Sequence, residues 1–320
     1  MSPKLRVAIT GALSGLGELL LPRLLADERV ERITLLDVAQ PNVNHPKVEY
    51  RHVDLTLPDA DQQCRTAFTD GKISALYHLA FIWGSARSPA YAHELEVAGT
   101  LHVLNAAAAT NVRRIILPSL TALYGAQRQS PSVLRESAPL HGCPPSRFIS
   151  DKVEVERQVR AFREARPDVA ISVLRFAPIL GPSVDNPATR FLKARFVPTL
   201  LGFDPPWQAI HEDDAADALH QALHSVASGE FNVVGKGIIP LSGLVAIAGG
   251  TVLPLPGPLA RGAIRLFNAT GLGAVPLWLL DYIHYPWVAD GTRAEAELGF
   301  APRHDAREAA ASLSRASRRS

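Results

Sequence analysis

Cysteine is nearly absent from the 320-residue chain: Cys64 and Cys143 are its two. They stand far apart and without metal-ligand spacing. That argues against a disulfide framework and a zinc pattern, so no metal is expected and a reducing cytoplasm is the expected compartment. A strong charge of either sign is also missing, the formal net charge being +2 at pH 7. Much of that excess lies in Arg315-Ala316-Ser317-Arg318-Arg319-Ser320, which reads as a solvated terminus. Basic and aromatic residues do not interleave, so nucleic acid is not an expected partner. Long apolar runs are lacking too. The most apolar region, Leu241 to Leu280, is broken by Pro254, Pro256, Pro258, Arg261, Arg265 and Pro276, which excludes a membrane span there. The start of the chain shows no signal-peptide pattern, and no internal repeat is visible. What remains is 47% hydrophobic and 20% charged residues, the composition of a globular chain with a substantial core in one large domain or two.

The most informative stretch is Val7-Ala8-Ile9-Thr10-Gly11-Ala12-Leu13-Ser14-Gly15-Leu16-Gly17-Glu18. Leu5, Val7 and Ile9 give a buried strand, and Leu16, Leu19, Leu20 and Leu24 recur at helical spacing after it. Between them, Gly11 permits a tight turn, Gly15 lets a pyrophosphate approach the backbone, and Gly17 lets the helix pack on the strand. The helix N-terminus then offers free N–H groups and a positive dipole end to an anion. Arg32-Ile33-Thr34-Leu35-Leu36-Asp37 is a second strand ending in an acid. Asp37 lies where a dinucleotide fold places the carboxylate that bonds the adenosine ribose. A carboxylate there repels a 2′-phosphate, so NAD is the expected cofactor rather than NADP. The alternative for Asp37 is a plain turn residue at a strand end.

Strand patterns recur at Val48–Leu55, Ile73–Ala80, Arg113–Leu120 and Ile171–Ala177. Helical patterns fall at Pro58–Asp70, Tyr91–Thr110 and Arg147–Ala165. This alternation predicts an α/β fold, a Rossmann-type doubly wound parallel sheet with both faces covered. Residues 1–177 are read as the dinucleotide-binding domain. Residues 178–320 are read mainly as a smaller C-terminal substrate or lid region, with the chain able to re-enter the sheet around 205–235. A helix over Asp213–Val226 and a short strand at Phe231-Asn232-Val233-Val234 are expected within it. Trp207, Trp278 and Trp287 lie in this half, and Trp83 in the first.

The order of these motifs resembles the extended short-chain dehydrogenase/reductases, the group of NAD-dependent epimerases and dehydratases, over nearly the whole chain. Thr10-Gly11-Ala12-Leu13-Ser14-Gly15-Leu16-Gly17 matches its glycine motif, Asp54-Leu55 its adenine-contacting pair, and His78-Leu79-Ala80 the strand whose backbone lines the cofactor. Glu96-Val97-Ala98-Gly99-Thr100 is similar to a helix motif that usually begins with Asn. His211-Glu212-Asp213-Asp214-Ala215-Ala216 resembles a segment of the second domain, and Asp290-Gly291-Thr292-Arg293 with Glu297-Leu298-Gly299-Phe300 a closing motif. The resemblance implies cofactor contacts from Gly11, Leu13, Ser14, Gly15, Leu16, Gly17, Asp37, Asp54, Leu55, Leu79, Ala80, Phe81, Lys152, Phe176 and Ile179. It also implies a homodimer through the helices at Tyr91–Thr110 and Arg147–Ala165. His78 is expected to satisfy backbone groups near the pyrophosphate, His211 to order the second domain, and Asp213 and Asp214 to cap a helix.

The family's chemistry uses a Ser or Thr, a Tyr and a Lys, and here the chain departs from it. Phe148-Ile149-Ser150-Asp151-Lys152 keeps the lysine but has Phe148 at the usual Tyr position. Ser119-Leu120-Thr121-Ala122-Leu123-Tyr124-Gly125 has Leu120 at the usual Ser or Thr position. A phenyl ring has no proton to give. Three readings follow. The first is redox chemistry with a substitute proton donor, from Thr121, Tyr124, Ser150 or a water held by Lys152, the retained catalytic lysine that is expected at the cofactor ribose; Thr121 and Tyr124 are alternatively packed structural residues. The second is a non-redox lyase, isomerase or cyclase that keeps NAD as a structural cofactor. The third is a non-catalytic NAD-binding module. Arg87, Arg190 and Arg195 are candidates for a substrate phosphate. Their neighbourhood of Phe81, Ile82, Phe191, Phe196, Val197 and Phe203 is apolar, however, and a sugar needs polar partners. The leading expectation is therefore an NAD-dependent oxidoreductase acting on a ketone or secondary alcohol of a fairly hydrophobic small molecule.

Overall fold

Strands buried on both faces need helices on both sides, and the first half of the chain supplies them in alternation. β1 (Leu5–Thr10), β2 (Val30–Asp37), β3 (Val48–His52), β4 (Ala75–His78), β5 (Arg114–Leu120) and β6 (Ala170–Phe176) form one parallel sheet in the order β3-β2-β1-β4-β5-β6. The structure is a computed structural model and describes residues 4–82, 88–143, 146–269 and 276–316, with side chains as far as Ser314. Trp83, Arg87 and the basic tail's side chains lie outside the described residues.

α1 (Gly15–Ala26), α2 (Ala60–Asp70), α3 (Pro89–His93), α4 (Gly99–Ala108) and α5 (Arg147–Ala165) cover the sheet. The helix expected over Tyr91–Thr110 is not a single α-helix: α3 and α4 are joined by a π-helical turn, Glu94–Ala98. Such turns insert one extra residue and re-aim the side chains they carry. The alternation also has a gap, because residues 38–47 connect β2 to β3 without a helix.

The second half adds the short strands β7 (Ile179–Leu180), β8 (Phe196–Leu200), β9 (Pro206–Trp207) and β10 (Ile210–His211). They are followed by β11 (Gly229–Val233), β12 (Ile239–Pro240) and β13 (Thr251–Leu255). β11 pairs parallel with β6, so the chain returns to the main sheet as its seventh strand. The others form two-stranded pairs. Helices α6 (Pro187–Lys193), α7 (Glu212–His224), α8 (Leu241–Ala248), α9 (Gly257–Ala269), α10 (Leu279–Tyr282), α11 (Thr292–Leu298) and α12 (Ala306–Ala316) complete the fold. Among the described residues no helix is long and apolar enough to cross a membrane.

Three apolar clusters hold these layers. Leu16, Leu20 and Leu24 of α1 meet Leu219, Phe231 and Phe300 on one face of the sheet. Phe68, Leu104 and Val155 fill the other face. The third, around Phe191, Trp207 and Tyr282, lies in the second half, and Leu123, Tyr124 and Ile149 of the first half belong to it. At roughly 25 cal/mol per Å² of buried apolar surface, side chains of this size each contribute about 1.5–3 kcal/mol.

Candidate functional site: a dinucleotide crevice and an apolar pocket

The strand order reverses between β1 and β4, which opens a crevice beyond the carboxyl ends of those strands. The glycine turn after β1 forms its floor. Gly11 has φ +71°, and a Cβ on it would stand 2.5 Å from the Ala80 backbone. A Cβ on Gly17 would stand 2.5 Å from the Ala12 carbonyl oxygen, so α1 packs directly on the turn. Gly15 differs: a Cβ there would meet nothing nearer than Val184, at 4.0 Å. Two glycines thus close the packing and the third leaves bare main chain facing open space. Ser14 caps α1 by accepting from the Gly17 N–H at 3.1 Å. The remaining first-turn N–H groups have no acceptor within the helix.

Gly11, Leu13, Ser14, Asp37, Leu55, Leu79, Ala80 and Phe81 line this crevice, which holds about 630 Å³ of empty space. Val38, Val53, Tyr91 and Leu95, not singled out in the sequence, line it too. Asp37 accepts from the Leu13 N–H at 3.0 Å and the Val38 N–H at 2.8 Å, which fixes its carboxylate at the rim. Asp54, expected with Leu55 at the adenine, accepts from the Thr56 N–H and hydroxyl through its Oδ1, which fixes the carboxylate. Leu16 is buried in the core under α1, so only its backbone reaches the turn. A narrow glycine cradle, free helix-terminal N–H groups and a carboxylate at the second strand end are the donor set that a dinucleotide requires.

Beside this crevice lies a second, narrow pocket lined by Leu120, Ala122, Phe148, Phe176, Ile179 and Trp278 among others. Phe148 stacks on Trp278 with ring centroids 5.9 Å apart. Among the described residues of the lining, Asn186 and the indole N–H groups of Trp207, Trp278 and Trp287 are the polar groups, and the buried Trp287 Nε1 has no hydrogen-bond partner. The Asn186 amide donates to the Ile179 carbonyl at 2.7 Å, and its oxygen caps α6 through Ala188 and Thr189.

Lys152 sits between the two pockets, buried in α5. Its Nζ donates to both oxygens of the Glu96 carboxylate at 3.1 Å. The same ammonium lies 5.0 Å from the ring centres of Phe81 and Phe148. Glu96 also accepts from the Ile82 N–H at 3.0 Å and is 2% exposed. It stands on the π-helical turn, at the position where the motif usually has Asn. The sequence pointed to that departure but not to its partner, because the two residues lie 56 positions apart.

Of the other hydroxyl candidates, Ser150 lies exposed on α5, and the two remaining ones are occupied. Thr121 turns away from the pocket and donates to the Phe176 carbonyl. The Tyr124 hydroxyl donates to Asn232 Oδ1 at 2.7 Å and accepts from Arg175 at 2.8 Å. Burial pushes the Tyr124 phenol up to about 12. Arg175 pairs in turn with Glu156, which accepts from Ser119 at 2.5 Å. This buried network was not foreseen from the sequence.

Two lesser expectations need correction, and two arginines can be placed. His78 bonds the Thr10 and Thr100 side chains at 2.7 and 2.9 Å rather than backbone groups. Burial, helped by the Lys152 charge, lowers it to about 3. The cap of α7 is His211, which accepts from the Asp213 N–H; Asp214 instead binds the Arg303 and His304 N–H groups, and Asp213 pairs with Arg23. Arg190 is paired with Asp185, and Arg195 lies over the Phe196 ring.

The comparisons agree with this geometry. The chain matches the NAD dependent epimerase/dehydratase family over residues 7–235. An uncharacterized protein of Mycobacterium tuberculosis is 31% identical over 304 residues, covering 93% of this chain and 80% of the relative. A Streptomyces protein named 3-diazoavenalumate denitrifying reductase is 32% identical over 148 residues, 43% of this chain and 46% of that protein. Among solved structures, the dTDP-glucose 4,6-dehydratase DesIV of Streptomyces venezuelae, with NAD and TYD bound, superposes with a TM-score of 0.74. Its identity is 18%, covering 98% of this chain and 97% of that one, a likeness of fold. The chain belongs to the NAD-dependent epimerase/dehydratase family, and NAD is its cofactor.

Proposed function

We propose that the protein is an NAD-dependent oxidoreductase acting on the ketone or secondary alcohol of a fairly hydrophobic small molecule. The observation that carries this reading is the pocket beside Phe148, whose described lining is apolar but for the indole N–H groups of its tryptophans and for Asn186, whose side chain is spent on Ile179 and the α6 cap. A sugar's hydroxyls would find few partners there, and burying them unpaired costs about 1–3 kcal/mol each. The reductase name of the Streptomyces relative supports a reductive reaction. NAD, when bound, supplies or accepts the hydride. In this reading Lys152, steered by Glu96 and flanked by the Phe81 and Phe148 rings, holds the water that exchanges a proton with the substrate oxygen. Thr121 and Tyr124 then act in support, since their hydroxyls are already bonded.

Residues 1–177 carry the dinucleotide and residues 178–320 mainly the substrate pocket, with β11 returned to the sheet. The assembly is a homodimer through α4 and α5, where Leu101 is exposed, and two buried free thiols suit a reducing cytoplasm. The test is the absorbance of NADH during turnover of a panel of apolar ketones, alongside calorimetry of NAD binding. Consumption of NADH with a hydrophobic ketone is the expected result. NAD binding without consumption by any ketone in the panel overturns it in favour of the second reading, a lyase, isomerase or cyclase that keeps NAD as a structural cofactor. That reading is favoured by one observation: Phe148 and Leu120 present no transferable proton to the pocket.

A further inference from the structure

At the far end of α1 from the glycine turn, about 18 Å along a helix of 12 residues, lies a cluster unconnected with the dinucleotide. We propose that Asp27, His220 and His224 form a binding site for a divalent ion of the zinc type. Their ligand atoms all lie within 4.8 Å of one another, and among the described residues no other trio of His, Cys, Asp or Glu does this. His220 and His224 are four apart on α7 and therefore share one face. Both Nε2 atoms converge on the same carboxylate oxygen, Asp27 Oδ2, at 2.9 and 2.6 Å.

The surroundings hold this arrangement in place. Asp27 Oδ1 accepts from the Arg29 N–H at 2.9 Å and from Arg29 Nε at 3.3 Å, so the carboxylate cannot rotate freely. Lys47 donates to the Asp27 carbonyl at 3.0 Å and pins the backbone. Partners that orient a ligand from behind are what metal sites require. The Arg29 side chain is 59% exposed, so its charge can turn to solvent when a cation arrives. Two imidazole nitrogens and one carboxylate oxygen make a three-ligand set that leaves a fourth position for water. That position opens on a surface cleft bordered by Gln221, Ser225 and Glu297, which gives the ion a way in. Metal–ligand distances of about 2.0–2.1 Å need ligand atoms spaced roughly 3.3 Å apart, so the carboxylate oxygen must draw back from both nitrogens by roughly half an ångström or more and the two imidazoles must adjust to match. The ion would tie the turn after α1 to the end of α7, and its binding free energy would add to folding. The histidine spacing is visible in the sequence, but Asp27 lies 193 residues before His220.

The experiment is calorimetric titration of ZnCl₂ into chelator-treated full-length protein, repeated with His220→Gln and His224→Gln. The visible spectrum of the Co²⁺-loaded protein reports ligand geometry, and NAD binding by each variant reports that it is folded. One site per chain is expected, weakened at least roughly tenfold by each substitution, with a tetrahedral cobalt spectrum that the variants lose. Absence of Zn²⁺ binding, or equal binding by variants that still bind NAD, overturns the proposal. Should neither variant fold, Asp27→Asn and the histidine NMR signals of the native protein under Zn²⁺ give the same decision: unmoved signals overturn it.

Discussion

A Cβ at Gly11 would be driven into the Ala80 backbone while its own φ of +71° stays in the left-handed region. Gly11→Ala is therefore expected to lose NAD binding and to cost about 1–3 kcal/mol from backbone strain alone. Calorimetry with NAD and urea unfolding check both parts. Glu96 presents the opposite situation, a residue present where a smaller neutral one is usual. Removing its charge leaves the Lys152 ammonium buried without its carboxylate. Glu96→Gln should lower ligand-free stability by roughly 3–5 kcal/mol, the range for breaking a buried ion pair. If Lys152 then turns to the cofactor ribose, added NAD should recover more stability in the variant than in the native protein. Equal urea midpoints with and without the substitution would show that the pair is not what holds Lys152.

α5 carries Phe148 and Lys152 one turn apart, so both reach the same end of the sheet. Phe148→Tyr combined with Leu120→Ser restores two hydroxyls at the pocket wall. The double variant is expected to gain reductase turnover at least roughly tenfold, in line with a general acid's contribution. NADH consumption with the same apolar ketones measures it. Elements were also where the sequence was most readable. The glycine turn, the acid closing β2 and the strand patterns are local signals, because periodicity and special backbone conformations are written in consecutive residues. The Glu96–Lys152 pair, the Tyr124–Arg175–Glu156 network and the tryptophans gathered at Phe148 were not legible. Each joins residues from distant elements, and the π-helical turn that re-aims Glu96 leaves no periodic trace. Asp54 lay in a legible motif, but the Thr56 hydroxyl that holds its Oδ1 was not foreseen.

For the molecule as a whole, His78 links acidity to stability. In the unfolded chain it takes up a proton near pH 6.5, but in its buried place between Thr10 and Thr100 only near pH 3. The unfolded state therefore holds the extra proton throughout that window. His78's share of the stability is complete above pH 6.5, falls by up to ~1.4 kcal/mol per pH unit below it, and levels off below about pH 3. Urea midpoints at pH 7, 6 and 5 in the presence of a chelator test this before the carboxylates titrate. His78→Asn should flatten the slope.

The return of Gly229–Val233 to the edge of β6 has a consequence for any attempt to divide the protein. A polypeptide stopped at Ala177 would keep β5 beside β6 but leave the other edge of β6 unpaired, and Leu174 and Phe176 without Phe231 and Val233 against them. Bare strand margins recruit other chains. Such a truncated piece is expected to clump rather than stand as a soluble half, while co-expression with the missing remainder should rescue it. A cut at Ala177 therefore runs through one shared sheet and not through a linker.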